Sequence, residues 1–227
     1  MAIVLASKRD SFMVVASERK ARDIAAGIFE EEPQKIVLHR AQPLAFVTTG
    51  ISSLTDAMAG NQVDVTAVLD RALGEFNNPA GFRLEDIAAR IANRMHPMVR
   101  QKIRQVAANA PESERRLDVL IAYVRGTTAE MGRCRIADRV ETGFLNTYID
   151  APGPILQFLQ SDRFKTPTGL FAENLTDPVS VANHMRRVVL EAVAHDASLH
   201  GGKNELCGTT VEVAIIGPKL ARFVHAA

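Results

Sequence analysis

Four side chains that can bind metal ions lie close together near the end of the sequence: His195, Asp196, His200 and Cys207. Their spacing is H-x4-H-x6-C and includes two glycines, whereas zinc sites usually contain closer pairs such as C-x2-C or H-x3-H. The alternative is the solvated end of a helix, where His195 complements the helix dipole. We favour this alternative and expect no metal.

Cys134 is a second candidate for chemistry because Arg133 and Arg135 flank it. Neighbouring positive charges lower the pKa of a thiol and make it reactive. On a strand, however, successive side chains point to opposite faces, so Cys134 can face the core while both arginines face away. We favour this second interpretation, while a cysteine–histidine nucleophile pair stays open.

The middle of the chain is rich in basic residues but contains no interleaved aromatic residues, which nucleic-acid-binding modules usually add. We interpret it as the polar face of a helix with its connector, and expect no nucleic-acid partner. The basic residues are Arg90, Arg94, Arg100, Lys102, Arg104, Arg115 and Arg116. The usual nucleotide-binding and hydrolase motifs, such as G-x-G-x-x-G and G-x-S-x-G, are absent, so no cofactor is expected.

Length and composition limit the class of protein. The chain has 227 residues, 47% of them hydrophobic, with 27 Lys+Arg against 26 Asp+Glu. This fits one globular domain over residues 1–227 and excludes wholesale disorder. The net charge of +1 gives no general attraction to nucleic acid or anionic membranes. No apolar run is long enough for a membrane span or a signal peptide, so we expect a cytoplasmic protein.

Two hairpins are predicted in the first fifty residues, because four short apolar runs rich in β-branched residues are joined in pairs by polar links. The runs span residues 2–6, 12–16, 35–39 and 44–49. Gly50 ends the second pair, and Ser52 or Ser53 is suited to cap a following helix.

The apolar period then becomes helical over residues 65–76 and 84–106, with Pro97 expected to kink or split the second helix. A third helix is predicted from Pro178, capped by Asp177, to about Ala197. Further strands are predicted at residues 117–124, 132–137, 143–149, 209–216 and 221–224. Two successive helices between hairpins favour antiparallel sheets with helices on their outer faces.

Three motifs occur in this order along the predicted elements. Val15-Ala-Ser-Glu-Arg19 ends the first hairpin, Lys35-Ile-Val-Leu leads through a strand to Thr48-Thr-Gly50, and His195-Asp-Ala-Ser-Leu-His-Gly-Gly202 precedes a closing strand. They resemble the small-small-Asp-x-Arg strand, the lysine hairpin with its Ala-Gly-Gly turn, and the Asp-x-x-Ser-Gly-Gly turn of proteasome β-type subunits. The resemblance implies an α+β fold, the four-layer αββα sandwich of the N-terminal-nucleophile hydrolases, with two antiparallel sheets flanked by helices.

The resemblance also assigns site residues. Lys35 matches the catalytic lysine of the family, and Thr49 or Gly50 matches the turn whose backbone N–H binds the oxyanion. Asp196 and Ser198 match the polar pair that follows the last helix. Ser17 occupies the place of the carboxylate that orients the lysine, while Glu18 lies one step further, on the opposite strand face.

The nucleophile of this family is a threonine exposed as the first residue, whose own α-amino group acts as the general base. Its place here falls on Met1, or on Ala2 if Met1 is removed. Neither a thioether nor a methyl group can attack a carbonyl. We therefore expect a non-catalytic or divergent proteasome-like subunit. The alternative is an active peptidase or amidohydrolase with an unmasked or non-standard nucleophile.

The partners expected from the resemblance are copies of the same chain, because subunits of this family form rings or stacked rings through their helical faces. A polypeptide substrate or an ATPase partner is compatible with the same resemblance, and the sequence identifies neither. No membrane partner is expected.

Overall fold

The computed structural model describes residues 4–23, 28–31, 34–55, 61–76, 81–107, 109–110, 114–144, 175–199 and 210–224. Within this part of the chain, thirteen strands and three helices form a mixed α/β fold with antiparallel sheets. Residues 145–149 of one predicted strand, and the candidate metal ligands His200 and Cys207, lie outside the described residues.

The first and last parts of the chain form one sheet of four strands, which pair in the order β1 (Val4–Lys8), β2 (Met13–Glu18), β12 (Val211–Ile216) and β13 (Ala221–Phe223). Every residue of β1 and β2 is buried, as expected for strands that read as continuous apolar runs. The predicted N-terminal hairpin and the two closing strands are therefore confirmed.

The middle of the chain forms a second sheet of five strands in the order β11–β10–β9–β6–β5. These are β5 (Ile36–Leu38), β6 (Leu44–Gly50), β9 (Leu117–Arg125), β10 (Thr128–Ile136) and β11 (Val140–Phe144). The prediction placed the start of β10 at Gly132, four residues too late. A tight turn at Gly126, whose φ is +60°, brings Arg125 opposite Thr128 and starts the ladder there.

Three helices pack on these sheets: α1 (Val65–Gly74), α2 (Leu84–Gln105) and α3 (Pro178–Leu199). One apolar cluster joins α1 and α2 to the five-stranded sheet, and another joins α3 to the four-stranded sheet. A third cluster contains side chains from both sheets, such as Val15, Ala214, Val47 and Leu120. Side chains of both sheets therefore pack together in one cluster, and each sheet also contacts helices.

Helix α2 runs without interruption through Pro97, so of the two outcomes expected for this proline, a kink or a split, the split does not occur. Pro97 and Asn93, four residues earlier, are both exposed. Water can therefore satisfy the Asn93 carbonyl that the proline leaves without its helical donor.

Two short hairpins complete the described elements, β3 (Lys20–Asp23) with β4 (Ile28–Glu31) and β7 (Ser53–Thr55) with β8 (Gln62–Asp64). The prediction of a helix cap at Ser52 or Ser53 was wrong, because β7 begins there. Helix α1 is capped by Asp64, whose Oδ1 accepts hydrogen bonds of 2.9 Å from both the backbone N–H and the hydroxyl of Thr66.

Candidate functional site

The side chains of Lys35 and Glu18 form a buried ion pair between the two sheets. Glu18 is the last residue of β2, and Lys35 immediately precedes β5. The Glu18 side chain is 0% exposed and that of Lys35 is 9% exposed. The pair therefore brings the end of one sheet to the start of the edge strand of the other, largely away from water.

A second carboxylate reaches the same place from strand β12. Glu212 lies opposite Ser17 in the β2–β12 ladder. Its Oε1 accepts hydrogen bonds from the backbone N–H groups of Lys35, at 2.6 Å, and of Ile36, at 2.7 Å. Burial raises the pKa of Glu212, whereas these two hydrogen bonds and the charges of Arg19 and Lys35 lower it. The effect of burial is the largest, so the pKa lies above its ordinary value.

Ser17, the residue matched to the family's carboxylate, does not bind the Lys35 amine through any contact that the structure gives. Its hydroxyl donates to the Glu18 carbonyl at 3.0 Å. The structure thus brings a carboxylate to Lys35, but from Glu18. The sequence could have indicated Glu18 as the partner of Lys35, because it is the one carboxylate in the Val15–Arg19 motif.

The turn matched to the oxyanion site lies beside Lys35. The carbonyl of Lys35 accepts the Thr48 N–H at 3.1 Å, which places Thr49 and Gly50 directly after the point where β6 contacts Lys35. Thr49 is buried, whereas Gly50 is exposed and has a φ of +92°. Only glycine adopts this conformation readily. Gly50 still pairs with Leu117 of β9, and the Ile51 N–H donates to the Arg116 carbonyl at 3.0 Å.

The remaining matched positions lie on or beyond other elements. Ser198 is exposed near the end of α3, and its hydroxyl donates to the His195 carbonyl of the same helix at 2.7 Å. Asp196 belongs to the same helix, with its side chain outside the described part of the structure. Met1 also lies outside the described residues. The described contacts therefore join Lys35 to Glu18 and to the strand that carries Thr49 and Gly50. They include none between Lys35 and Ser17 or Ser198, and the roles of the matched positions stay predictions.

A cluster of charges that was not predicted from the sequence surrounds Asp118, which is 1% exposed on β9 and lies opposite Thr49. Arg133 donates to its Oδ1 through two nitrogens, at 2.9 and 3.1 Å, and Arg135 donates to the same oxygen at 3.1 Å. The Arg116 Nε lies 3.0 Å from Oδ2. Several charge-assisted hydrogen bonds thus compensate for the burial of one carboxylate.

These contacts explain the arginines around Cys134. The thiol is fully buried in the cluster under α1 and α2, while Arg133 and Arg135 bind Asp118 on the other face of the sheet. Burial, with a smaller effect from the Asp118 charge, raises the pKa of Cys134 to about 11. The interpretation of Cys134 as an inward-facing apolar residue is confirmed.

The basic stretch also has packing roles. The Arg90 guanidinium lies 4.3 Å from the centre of the Phe82 ring, within the range of a cation–π contact. Arg94 forms an ion pair with Glu75 at the end of α1. Among the described residues, no group of three or more potential ligands could hold a metal ion. Nor does any described helix combine the length and apolar character required to cross a membrane.

Comparison with solved structures gives distant similarity at the level of the fold. No protein-family model and no curated protein matches the chain. Among solved structures, the fold is similar to that of a Gly-1 mutant of Anbu from Hyphomicrobium sp. strain MC1, with a TM-score of 0.55 and 9% sequence identity. The match covers 100% of this chain and 88% of the Anbu chain. Anbu is a proteasome-like protein, so the resemblance drawn from the motifs is supported at the coarse level of fold.

Proposed function

We propose that this chain is a single-domain, proteasome-like protein with the four-layer αββα fold, which acts as a non-catalytic, self-assembling subunit. The observation that carries the proposal is a contrast within the candidate site. The lysine–carboxylate pair Lys35–Glu18 is formed, but the residues that lead into β1 are Met1, Ala2 and Ile3, none of which carries a hydroxyl or thiol.

The chemical reason is that hydrolysis at this kind of site needs an attacking atom. A lysine ammonium beside a carboxylate makes the surroundings of a nucleophile electropositive, but it does not itself form an acyl intermediate. An ion pair between two sheets also has a structural use, since it fixes their relative position. Lys35 and Glu18 can therefore be retained by a protein that no longer cleaves peptides.

Assembly is the second part of the proposal. The fold similarity and the ordered motifs both point to a family whose subunits associate through their helical faces, and we infer that copies of this chain associate with one another. Sedimentation velocity on the purified chain tests this part. A particle several times heavier than 24.7 kDa is expected, and a strict monomer over the micromolar range would contradict it.

The alternative function, an active N-terminal-nucleophile peptidase or amidohydrolase, is favoured by one specific observation. The Lys35–Glu18 pair and the adjoining Thr49–Gly50 turn have the composition such a site requires, even though Ser17 replaces the expected carboxylate. In this case a hydroxyl or thiol would have to be exposed by processing or supplied from elsewhere.

Intact mass spectrometry before and after treatment with a peptide epoxyketone, which reacts with a nucleophile and its adjacent α-amine, separates the two functions. The non-catalytic proposal expects no adduct. A stoichiometric adduct that disappears in Lys35→Ala would establish the active alternative. An adduct that persists in Lys35→Ala would indicate labelling outside this site, and would leave the non-catalytic proposal standing.

A further inference from the structure

We propose that Glu212 is a positioning residue, which holds the backbone of Lys35 so that the lysine amine meets Glu18. This inference goes beyond the proposed function, because it applies whether or not the site hydrolyses peptides. It depends on three facts about Glu212: its place in the sheet, its hydrogen bonds and its distance along the chain from its partners.

The first fact is that Glu212 lies on the inner face of the four-stranded sheet. Side chains alternate along β12, and Ala214 and Ile216, which share the face of Glu212, belong to the cluster between the two sheets. Directly opposite on β2 is Ser17, which shares its face with Val15 of the same cluster. A carboxylate in this position loses much of its hydration, which is costly unless it receives hydrogen bonds.

The second fact is the convergence of two successive backbone donors on one oxygen. The N–H groups of Lys35 and Ile36 both donate to Glu212 Oε1. In an extended strand, successive N–H groups point in opposite directions, so the chain must be turned at this point, as in the concave anion sites formed by adjacent N–H groups. A carboxylate oxygen is well suited to accept both.

The third fact is that the other side of Lys35 is also held. Its carbonyl accepts the N–H of Thr48 on β6, so the backbone on both sides of the Lys35 Cα is fixed, to β12 on one side and to β6 on the other. The Lys35 side chain then starts from a defined place and ends at Glu18, on the strand that pairs with β12. Two carboxylates of one sheet thus act on a single residue of the other: Glu212 holds its backbone and Glu18 holds its amine.

The experiment measures the backbone and the amine separately in the full-length protein. Reaction of each lysine with an acetylating ester, followed by peptide mass spectrometry, reports the accessibility of the Lys35 amine relative to exposed Lys219. Hydrogen exchange by NMR reports the Lys35 and Ile36 amides. Loss of a hydrogen bond to a charged acceptor shifts a local opening equilibrium by about tenfold or more, which sets the scale of the expected change.

Four variants are compared. Glu212→Ala is expected to speed both acetylation of Lys35 and exchange of the two amides by about tenfold. Glu212→Asp, which keeps the charge but withdraws the oxygen, is expected to act in the same direction and serves if the alanine variant does not fold. Glu212→Gln keeps an acceptor oxygen in place and is expected to restore most of the protection. Glu18→Gln is expected to speed acetylation of Lys35 while leaving the amides protected.

Met185→Ala provides the control for general destabilisation, because Met185 belongs to α3 and is buried in a different cluster. If this variant accelerates Lys35 acetylation as much as Glu212→Ala at equal loss of stability, the effect is global and the proposal is overturned. Unchanged Lys35 acetylation in both Glu212→Ala and Glu212→Asp would overturn it as well, even if the amides exchange faster, since Glu212 would then hold the backbone without directing the amine.

Discussion

Replacing Lys35 with methionine tests whether the buried pair with Glu18 stabilises the two-sheet arrangement. Glu18 is 0% exposed, so water cannot readily hydrate its carboxylate once the lysine charge is gone. Removing one partner of a buried ion pair costs about 3–5 kcal/mol. Because domains are stable by about 5–15 kcal/mol in total, Lys35→Met should lower the free energy of unfolding by a large fraction.

The opposite replacement, Glu18→Met, should cost less than Lys35→Met. The Lys35 side chain is 9% exposed, and a long lysine can extend its amine toward water when its partner is removed. The double replacement should be close to the wild type, within about 1–2 kcal/mol, since an apolar pair of similar volume removes both charges together. The three variants therefore form a cycle with a coupling energy of several kcal/mol.

Urea denaturation followed by circular dichroism measures these free energies, and Lys219→Met serves as the control because Lys219 is an exposed lysine in a turn. Two results would refute the reasoning. One is a Lys35→Met variant within about 1 kcal/mol of the wild type, which would mean that Glu18 is already hydrated. The other is a double variant as unstable as the sum of the two single ones, which would mean that the two residues act independently.

Three further predictions follow from the described contacts. Because burial raises the pKa of Cys134 from 9.0 to about 11, its alkylation at pH 7.5 should be about a hundredfold or more slower in the native state than in urea; rapid native alkylation would contradict this. Glu212 has a raised pKa in the folded state, so the wild type loses stability as the pH rises above 4.5 and this carboxyl ionises. Glu212→Gln has no such group, so its stability relative to the wild type should improve from pH 4.5 to pH 7. A difference in the free energy of unfolding that stays constant over this range, measured by urea titration, would refute the assignment. Asp118→Asn weakens the acceptor of three arginines that are themselves 20–29% exposed, so the loss should be about 2 kcal/mol by urea denaturation, against less than about 0.5 kcal/mol for Glu191→Gln in an exposed ion pair.

The larger strands could be predicted because a strand that is buried on both faces consists of a nearly continuous run of apolar residues. The runs that became β1, β2 and β9 are almost wholly apolar, and no other element explains them. The start of β10 was missed because Thr128 and Glu130 interrupt its apolar pattern, and its pairing with β9 is decided by the turn at Gly126. The start of β10 therefore depends on the backbone conformation of Gly126, which the apolar pattern does not reveal.

The short hairpins could not be predicted for a related reason. Strand β3 is Lys-Ala-Arg-Asp and β8 is Gln-Val-Asp, so neither carries an apolar run or an alternation long enough to recognise. What makes them strands is the backbone pairing of each with a partner strand, β4 and β7. The same applies to Asp64, whose role as a cap depends on where β8 ends.

In the candidate site, the alternation of side chains along one strand does not determine which of them contacts a residue of the other sheet. Alternation along β2 places Ser17 and Glu18 on opposite faces, and on that ground alone Glu18 does not substitute for the missing carboxylate. Lys35 belongs to another sheet, however, and meets β2 at its end, where a side chain on either face can be reached.

Glu212 lies 176 residues from Ile36, so no local pattern links it to the site. Although Ser17 occupies the place of the family's carboxylate in the motif, Glu18 supplies a carboxylate beside the lysine. The case for lost hydrolysis then depends on the nucleophile alone. A Lys35–Glu18 pair held in place by Glu212 serves a structural tie and a hydrolytic site equally well. A hydroxyl or thiol beside Lys35 is therefore the feature that decides between the two proposed functions.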